Sequence, residues 1–111
     1  MADLIGTFEQ AVLLAVLGLD DAAYGRAVLH SVETALARDR SVTAGAVYTT
    51  LDRLEAKGLL TSRLEQGTPE RGGRARRFYR VTAPGAAALN QARATLERLW
   101  QGKPWPLEIP A

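Results

Sequence analysis

The chain contains no cysteine, and its only histidine is His30. Without thiols, neither disulfide bonds nor thiolate metal sites can stabilise the fold, and one imidazole cannot form a metal centre built from several His or Cys ligands. His30 has no acidic or hydroxyl partner at a recognisable spacing, so we interpret it as a surface histidine. A glycine-rich phosphate loop with a lysine is also missing. We therefore expect no catalytic residue, no metal and no cofactor, and the chain is not predicted to be an enzyme.

Long apolar segments are also missing. The longest apolar run, Ala11–Leu17, is far shorter than the roughly 20 residues that a membrane span needs, and the N-terminus has no basic region followed by a cleavable apolar stretch. We expect a cytoplasmic protein without a membrane partner. The 111 residues, 47% hydrophobic and 23% charged, fit one folded domain.

The charge is distributed unevenly along the chain. Residues 1–60 carry five Lys or Arg and eight Asp or Glu, whereas residues 61–111 carry nine and four, so the two parts have net charges of −3 and +5. Between residues 63 and 80, six arginines accompany only two glutamates. A basic stretch this concentrated indicates a polyanionic partner, although a solvated charged loop has the same composition.

The first helix is predicted to begin at Thr7, which forms a capping box with Gln10, and to run to about Leu17, where Gly18 ends it. Its residues are apolar almost all the way round, so we expect it to be covered on two sides.

A second helix is predicted over about residues 23–37, with Asp20 or Asp21 as its cap. Apolar residues at steps of four mark its buried stripe: Tyr24, Val28, Val32 and Leu36.

The third helix is predicted to be capped by Thr43, to run to about Lys57 and to end at Gly58. Its buried face is marked by Val47, Leu51 and Leu54. At 100° per residue, the opposite side is small, polar and basic, with Tyr48 on the flank. That side consists of Gly45, Ala46, Thr49, Arg53 and Ala56.

After the third helix the pattern changes to two short strands, over about residues 59–64 and 77–81, which flank a loop of about residues 65–76. The loop composition is typical of a hairpin tip rather than a packed element, because it contains Gly67, Pro69, Gly72 and Gly73. We predict a β-wing.

Thr82 is predicted to cap a last helix that begins at Ala83 and Pro84, since proline is favoured in a first turn. Spacings of three and four are typical of a seam between two helices, and we predict a homodimer interface at Leu89, Ala92, Leu96 and Leu99. Such a stripe is also compatible with simple core packing. The tail from Gly102 contains three prolines and cannot continue the helix.

Together the elements predict a mainly α fold with a small β-hairpin, that is, a winged helix-turn-helix followed by a C-terminal dimerisation helix. We divide the chain into a DNA-binding region at 1–82, a dimerisation helix at 83–101 and a Pro-containing tail at 102–111. The third helix fits the major groove of double-stranded DNA, and arginines on the wing can contact phosphates or enter the minor groove.

The sequence resembles the PadR family of transcriptional regulators, in its short form, over roughly residues 6–100. The residues that carry the resemblance are Ala23-Tyr24-Gly25, 42–48, 51–60, and 76–82 with Gly85 and Leu89. The family's third helix commonly has a hydroxyl residue where Ala46 stands and a proline where Thr49 stands.

The resemblance implies a homodimer, joined by its first and last helices, that binds an inverted-repeat operator, represses a promoter and is released by a small apolar effector. Trp100, at the end of the seam, would line the effector pocket, although simple packing of the tail by Trp100 and Trp105 explains these residues as well. The resemblance assigns DNA contacts to Thr43, Gly45 and Tyr48 on the third helix and to Arg74 and Arg76 on the wing. The exposed helical face adds Ala46, Thr49 and Arg53 to the predicted DNA-binding residues, and the basic wing adds Arg71 and Arg77.

Two other functions remain open. Arg71-Gly72-Gly73-Arg74 resembles an arginine-glycine motif, which favours a sequence-independent nucleic-acid binder, although glycines also suit a hairpin tip. A winged helix can also serve only for contacts with other proteins, in which case no duplex binding is expected even at low salt.

Overall fold

The computed structural model describes residues 4–37 and 41–111. Four helices and a two-stranded antiparallel hairpin follow one another along the chain, and this order confirms the predicted fold class. The elements are α1 (Thr7–Leu19), α2 (Gly25–Leu36), α3 (Ala44–Ala56), β1 (Leu60–Glu65), β2 (Arg76–Val81) and α4 (Ala83–Trp100), with short 3-10 turns at Asp20–Ala22 and Pro69–Arg71.

The predicted cap of α1 is wrong by one residue. Gly6, not Thr7, occupies the cap position, and its backbone N–H donates to Oε1 of Glu9 at 3.3 Å. Gln10 does not complete a box with Thr7, because its side-chain amide donates to the carbonyl oxygen of Ile5 at 3.0 Å. A glutamate in the first turn that bonds back to the cap backbone therefore fixes this end.

The predicted stop at Gly18 is also wrong, since α1 continues to Leu19 and ends at Asp20, whose φ is +51°. Leu19 packs against the core, and burial of a leucine outweighs the cost of about 1 kcal/mol for a glycine within a helix.

Helix α2 begins later than predicted and without an Asp cap. Asp20 and Asp21 lie in the 3-10 turn, and Tyr24 occupies the cap position in an extended conformation without a side-chain cap bond. Tyr24 therefore lies outside the helical stripe to which the sequence pattern assigned it. Its backbone instead forms a β-bridge with Phe78 of β2.

Both predicted ends of α3 are confirmed. The hydroxyl of Thr43 accepts a hydrogen bond from the N–H of Ala46 at 3.1 Å, and Gly58 adopts the left-handed conformation just after the helix, with a φ of +78°. These two residues set where α3 starts and stops.

The hairpin pairs β1 with β2 in register from Leu60 opposite Val81 to Glu65 opposite Arg76. Its loop is more ordered than a simple tip, because it contains the Pro69–Arg71 turn and because a Cβ on Gly67 would overlap the backbone of Gly73.

The core lies where α1, α2, α3 and the hairpin meet. The predicted buried face of α3 is confirmed, and the largest fully buried side chains are Val12, Leu13, Val16, Val28, Val32, Val47, Leu51, Leu54 and Leu60. No helix within residues 4–37 and 41–111 is long and apolar enough to span a membrane.

Helix α4 is joined to the hairpin and to the end of α3 through Thr82. The hydroxyl of Thr82 accepts a hydrogen bond from the N–H of Gly85 at 3.1 Å, which confirms the predicted cap, and donates one to the carbonyl of Gly58 at 2.7 Å. Gly85 is buried, and a Cβ there would overlap the carbonyl oxygen of Leu59.

Candidate nucleic-acid interface

A basic cleft of about 640 Å³ lies between the start of α2, the start of α3 and the β-hairpin. Arginines and tyrosines provide most of its walls, so it combines positive charge with flat aromatic surfaces. Its lining residues are Tyr24, Gly25, Arg26, Tyr48, Arg71, Arg74, Ala75, Arg76, Arg77 and Tyr79. This composition suits a phosphate backbone, which arginine recognises through several N–H donors.

The outward face of α3 adjoins the cleft through Tyr48, which is 38% exposed. Thr43, Gly45, Thr49 and Arg53 are exposed on α3 or at its cap, and Ala46 is half-buried. The structure thus brings together the six residues predicted to bind DNA on this helix. A Cβ on Gly45 would meet no atom within 4 Å, so the start of α3 is open to a close approach by another molecule.

Two of the four wing arginines bond to the hairpin itself. The guanidinium of Arg71 donates to the carbonyl oxygen of Gln66, and the residue is half-buried. Arg77 donates to the hydroxyl of Ser62 at 3.0 Å. Both arginines therefore stabilise the local structure of the hairpin as well as contributing charge to the cleft.

Arg74 and Arg76 have no such strong polar partner. The Nε of Arg74 lies 3.4 Å from the carbonyl oxygen of Arg71, which is a long hydrogen bond, and Arg74 is exposed. The guanidinium carbon of Arg76 lies over the ring of Tyr24, 4.0 Å from its centroid. Within the described part of the chain, no carboxylate lies within 4 Å of a guanidinium nitrogen of Arg74 or Arg76.

Close packing fixes the two other tyrosines of the cleft. A Cβ on Gly25 would lie 3.0 Å from Cε1 of Tyr48, so the missing side chain leaves room for the Tyr48 ring against the start of α2. Burial raises the pKa of the Tyr79 phenol, and the Asp52 carboxylate adds to that shift. Like an ordinary phenol, Tyr79 is neutral at physiological pH and can donate a hydrogen bond, and the raised pKa extends this state to more alkaline pH.

An apolar groove of about 630 Å³ lies on another part of the surface, between α1 and α4. All four residues of the predicted seam line it. Leu96 and Leu99 are 56% and 68% exposed, whereas Leu89 packs against the core of the same chain and Ala92 is buried. Across the groove, α1 leaves Leu14 and Leu17 more than half exposed. The second cover that the sequence predicts for α1 is thus missing in a single chain.

Trp100 is half-buried at the end of α4. It lines a shallow depression together with Arg93, Leu96 and Trp105. Trp105 belongs to the tail and is 82% exposed.

Comparison with known protein families gives a match over residues 13–91, from within α1 into α4, to a family described as the transcriptional regulator PadR-like family. The chain belongs to this family. The resemblance inferred from the sequence motifs is thereby confirmed. Because PadR-like proteins are transcriptional regulators, the prediction that the chain is not an enzyme is confirmed as well.

Individual PadR-like relatives support the assignment. Transcriptional regulator Rv3488 of Mycobacterium tuberculosis is 53% identical over 58 residues, which are 52% of this chain and 50% of that relative. The chain therefore matches only half the length of this curated relative. A PadR family regulator from Eggerthella lenta is 30% identical with a TM-score of 0.61, over 82% of this chain and 75% of the other.

PadR of Bacillus subtilis, crystallised in complex with operator DNA, shares the fold at 19% identity and a TM-score of 0.60. That alignment covers 96% of this chain and 54% of the Bacillus protein.

The cleft includes five residues that were not assigned to DNA binding from the sequence: Tyr24, Gly25, Arg26, Ala75 and Tyr79. Tyr24, Gly25 and Tyr79 belong to motifs that carry the family resemblance, so a signal was present. Tyr24 was assigned to a helical stripe because its spacing to Val28 is four residues. Only the pairing of Tyr24 with Phe78, which lies far along the chain, shows its actual place.

Proposed function

We propose that this PadR-like chain is a cytoplasmic, sequence-specific DNA-binding repressor that recognises an inverted-repeat operator as a homodimer and is released by an apolar effector. The observation that carries DNA binding is that the polar outward face of α3 and the arginine-lined cleft adjoin at Tyr48. A duplex with its major groove on α3 would therefore present a phosphate backbone to the cleft.

Base recognition is assigned to the middle of α3. Thr49 and Arg53 are exposed and lie one helical turn apart, so both face the same part of a groove. The small residues Gly45 and Ala46 precede them and allow the helix to lie deep in the groove. An arginine that bonds two acceptors of one guanine discriminates by about 1–3 kcal/mol against the wrong base.

Homodimer formation is supported by the α1–α4 groove. Leu14 and Leu17 on α1 face Leu96 and Leu99 on α4, and all four are more than half exposed in one chain. Exposed apolar surface of this kind is typical of protein interfaces. A twofold arrangement of α1 and α4 would place two copies of α3 for the two halves of an inverted repeat.

The test of DNA binding is operator selection from random duplexes, followed by affinity measurements on the selected and a scrambled duplex across a salt series. The proposal predicts an enriched inverted repeat that binds at least about 1,000-fold more tightly than the scrambled duplex. Binding without any enriched motif would instead favour a sequence-independent nucleic-acid binder. No binding even at low salt would overturn the proposal and favour a module for protein contacts.

Effector release is assigned to the surroundings of Trp100. A planar apolar compound bound there should quench tryptophan fluorescence and weaken operator binding at the same concentrations. In the variant Trp105→Phe, Trp100 is the only tryptophan left, so quenching in that variant reports on Trp100. Quenching without a change in DNA affinity would contradict the assignment.

A further inference from the structure

Tyr24 links the start of α2 to the hairpin. Its backbone forms the bridge with Phe78, and the N–H of Tyr79 donates to the carbonyl of Ala23 at 2.9 Å. These contacts fix the residue between the helix-turn-helix and the wing.

The Tyr24 ring has two neighbours on β2. It forms an edge-type contact with Phe78, with ring centroids 5.7 Å apart and planes inclined by 61°, and the guanidinium carbon of Arg76 lies over it, 4.0 Å from its centroid. Phe78 and Arg76 are two residues apart on one strand, so their side chains lie on the same side of the hairpin. Phe78 is buried, and its contact holds the ring in place for Arg76.

Stacking on Tyr24 limits the movement of the Arg76 side chain and leaves its hydrogen-bond donors unused. A guanidinium that stacks through its face keeps its N–H donors in the plane, where they remain free for an anion. Two other arginines of the hairpin have carboxylate partners: Arg63, which also lies over the Phe78 ring, pairs with Glu65 at 2.8 Å, and Arg80 lies 3.7 Å from Asp21. Arg76 thus combines a fixed position, a charge without a carboxylate partner in the described chain, and a place in the cleft wall.

We propose that Tyr24 is a positioning residue for phosphate binding: its ring holds the Arg76 guanidinium at the cleft with its in-plane N–H groups free for a DNA phosphate, and Tyr24 itself does not contact DNA. This inference rests on the proposed DNA-binding function. It predicts that the aromatic ring matters, that the phenol hydroxyl does not, and that the effect acts entirely through Arg76.

The first test compares Tyr24→Leu with Tyr24→Phe in binding to the operator and to a scrambled duplex. Tyr24→Leu should raise Kd by about threefold on both, the value of a partly exposed cation–π contact, whereas Tyr24→Phe should match the wild type. Equal damage from both variants would overturn the proposal, because it would place the hydroxyl on the DNA.

A double-mutant cycle shows whether Tyr24 acts through Arg76. In the Arg76→Ala background, Tyr24→Leu should have no further effect on Kd, whereas in the Arg74→Ala background its threefold effect should remain. Arg74→Ala is the matched control, because Arg74 lies in the same cleft but does not stack on Tyr24. Equal additivity in both backgrounds would show that Tyr24 does not work through Arg76.

The free protein provides a measurement that does not need DNA. In NMR spectra, the ring current of residue 24 should shift the side-chain N–H signal of Arg76 upfield in the wild type and in Tyr24→Phe. Should Tyr24→Leu fail to fold, Arg76→Lys replaces it, since lysine keeps the charge but loses the planar stack. It should weaken binding while leaving the salt slope unchanged, and wild-type affinity in this variant would refute the proposal.

The two hypotheses fail differently. An unshifted Arg76 signal, or additive mutations in a chain that binds DNA, overturns the positioning role alone. A wild-type chain that binds no duplex at low salt overturns the proposed function, and the role of Tyr24 in phosphate binding with it.

Discussion

The cleft and the α1–α4 groove have almost equal volumes, but within a single chain their side chains differ in how far protein contacts fix or cover them. In the cleft, Arg71, Arg76 and Arg77 already contact protein atoms, which fix their positions before any partner arrives. In the groove, the leucines of α1 and α4 remain more than half exposed. The cleft suits a charged ligand, because its hydrogen-bond donors are already in position. The groove suits an apolar partner, because such a partner would remove the exposed leucines from water.

The largest effect should come from charging the groove. The double variant Leu96→Glu and Leu99→Glu should weaken dimer formation by at least about 100-fold, since burying unpaired carboxylates costs several kcal/mol. Sedimentation of the purified protein measures the change. Ala94→Glu is the matched control, because Ala94 is exposed on α4 outside the groove. A double variant that still sediments as a dimer would locate the interface elsewhere.

Gly85, where the start of α4 approaches Leu59 and Val81, should give the next largest effect. Gly85→Ala places a methyl group against the Leu59 carbonyl and 2.9 Å from Cγ1 of Val81, so we expect a loss of about 1–3 kcal/mol in unfolding free energy. The same substitution at Gly18 meets open space within α1 and should gain about 0.5–1 kcal/mol. Urea denaturation of both variants checks the opposite signs, and equal effects would contradict the close approach at Gly85.

Base reading and phosphate binding can be separated by two arginines. Arg53→Ala should reduce the operator-to-scrambled affinity ratio about tenfold, because α3 would lose a base contact. Arg74→Ala should weaken both duplexes equally and reduce the log–log salt slope by about 0.9. Affinity measurements on both duplexes across a salt series distinguish the two. If Arg53→Ala weakens both duplexes equally, α3 positions the protein rather than reading sequence.

The sequence was sufficient where one local side chain decides the structure. Thr43 and Thr82 cap their helices as predicted, because a hydroxyl reaches an N–H three residues later. It was insufficient where distant residues decide. Leu19 extends α1 past Gly18 by packing on the core, and Tyr24 leaves the helical stripe because it pairs with Phe78.

The functional residues divide in the same way. The outward face of α3 follows from helical periodicity alone, and its predicted residues are exposed or half-buried. Which wing arginines are held by contacts within the protein could not be predicted, since this depends on Gln66, Ser62 and Tyr24. The predicted roles in DNA and dimer contacts, and the division at residues 82 and 101, stay predictions.

The smallest effect concerns an ion pair away from both surfaces. Lys57 donates to Glu9 at 2.9 Å and holds the pKa of that carboxyl below its ordinary value of 4.5. A lowered folded-state pKa stabilises the fold above the unfolded pKa, and this contribution disappears as the pH falls through the folded pKa. Glu9→Gln should therefore cost up to about 1 kcal/mol at pH 7 and progressively less as the pH falls below 4.5, measured by thermal unfolding.

The exposed pair Arg93–Glu97 provides the control for this prediction. Their side chains are 84% and 69% exposed, so Glu97→Gln should change stability less than Glu9→Gln does. A pH-independent cost at Glu9 would show that packing, rather than charge, explains the loss.

Thr82 anchors one end of α4, so a rotation about that end would move the other end of the helix. Its 18 residues correspond to about 27 Å, and its near end is tied by Thr82 to Gly58, directly after α3. A tilt of α4 by ten degrees about this junction would displace the far end, near Leu99, by roughly 5 Å. If that far end were held against a second copy of the chain, the same tilt would instead move both α3 helices and change the distance between them. In a dimer that binds two half-sites, that distance must match the helical repeat of duplex DNA, about 34 Å. The orientation of α4 would therefore set the spacing between the two α3 helices.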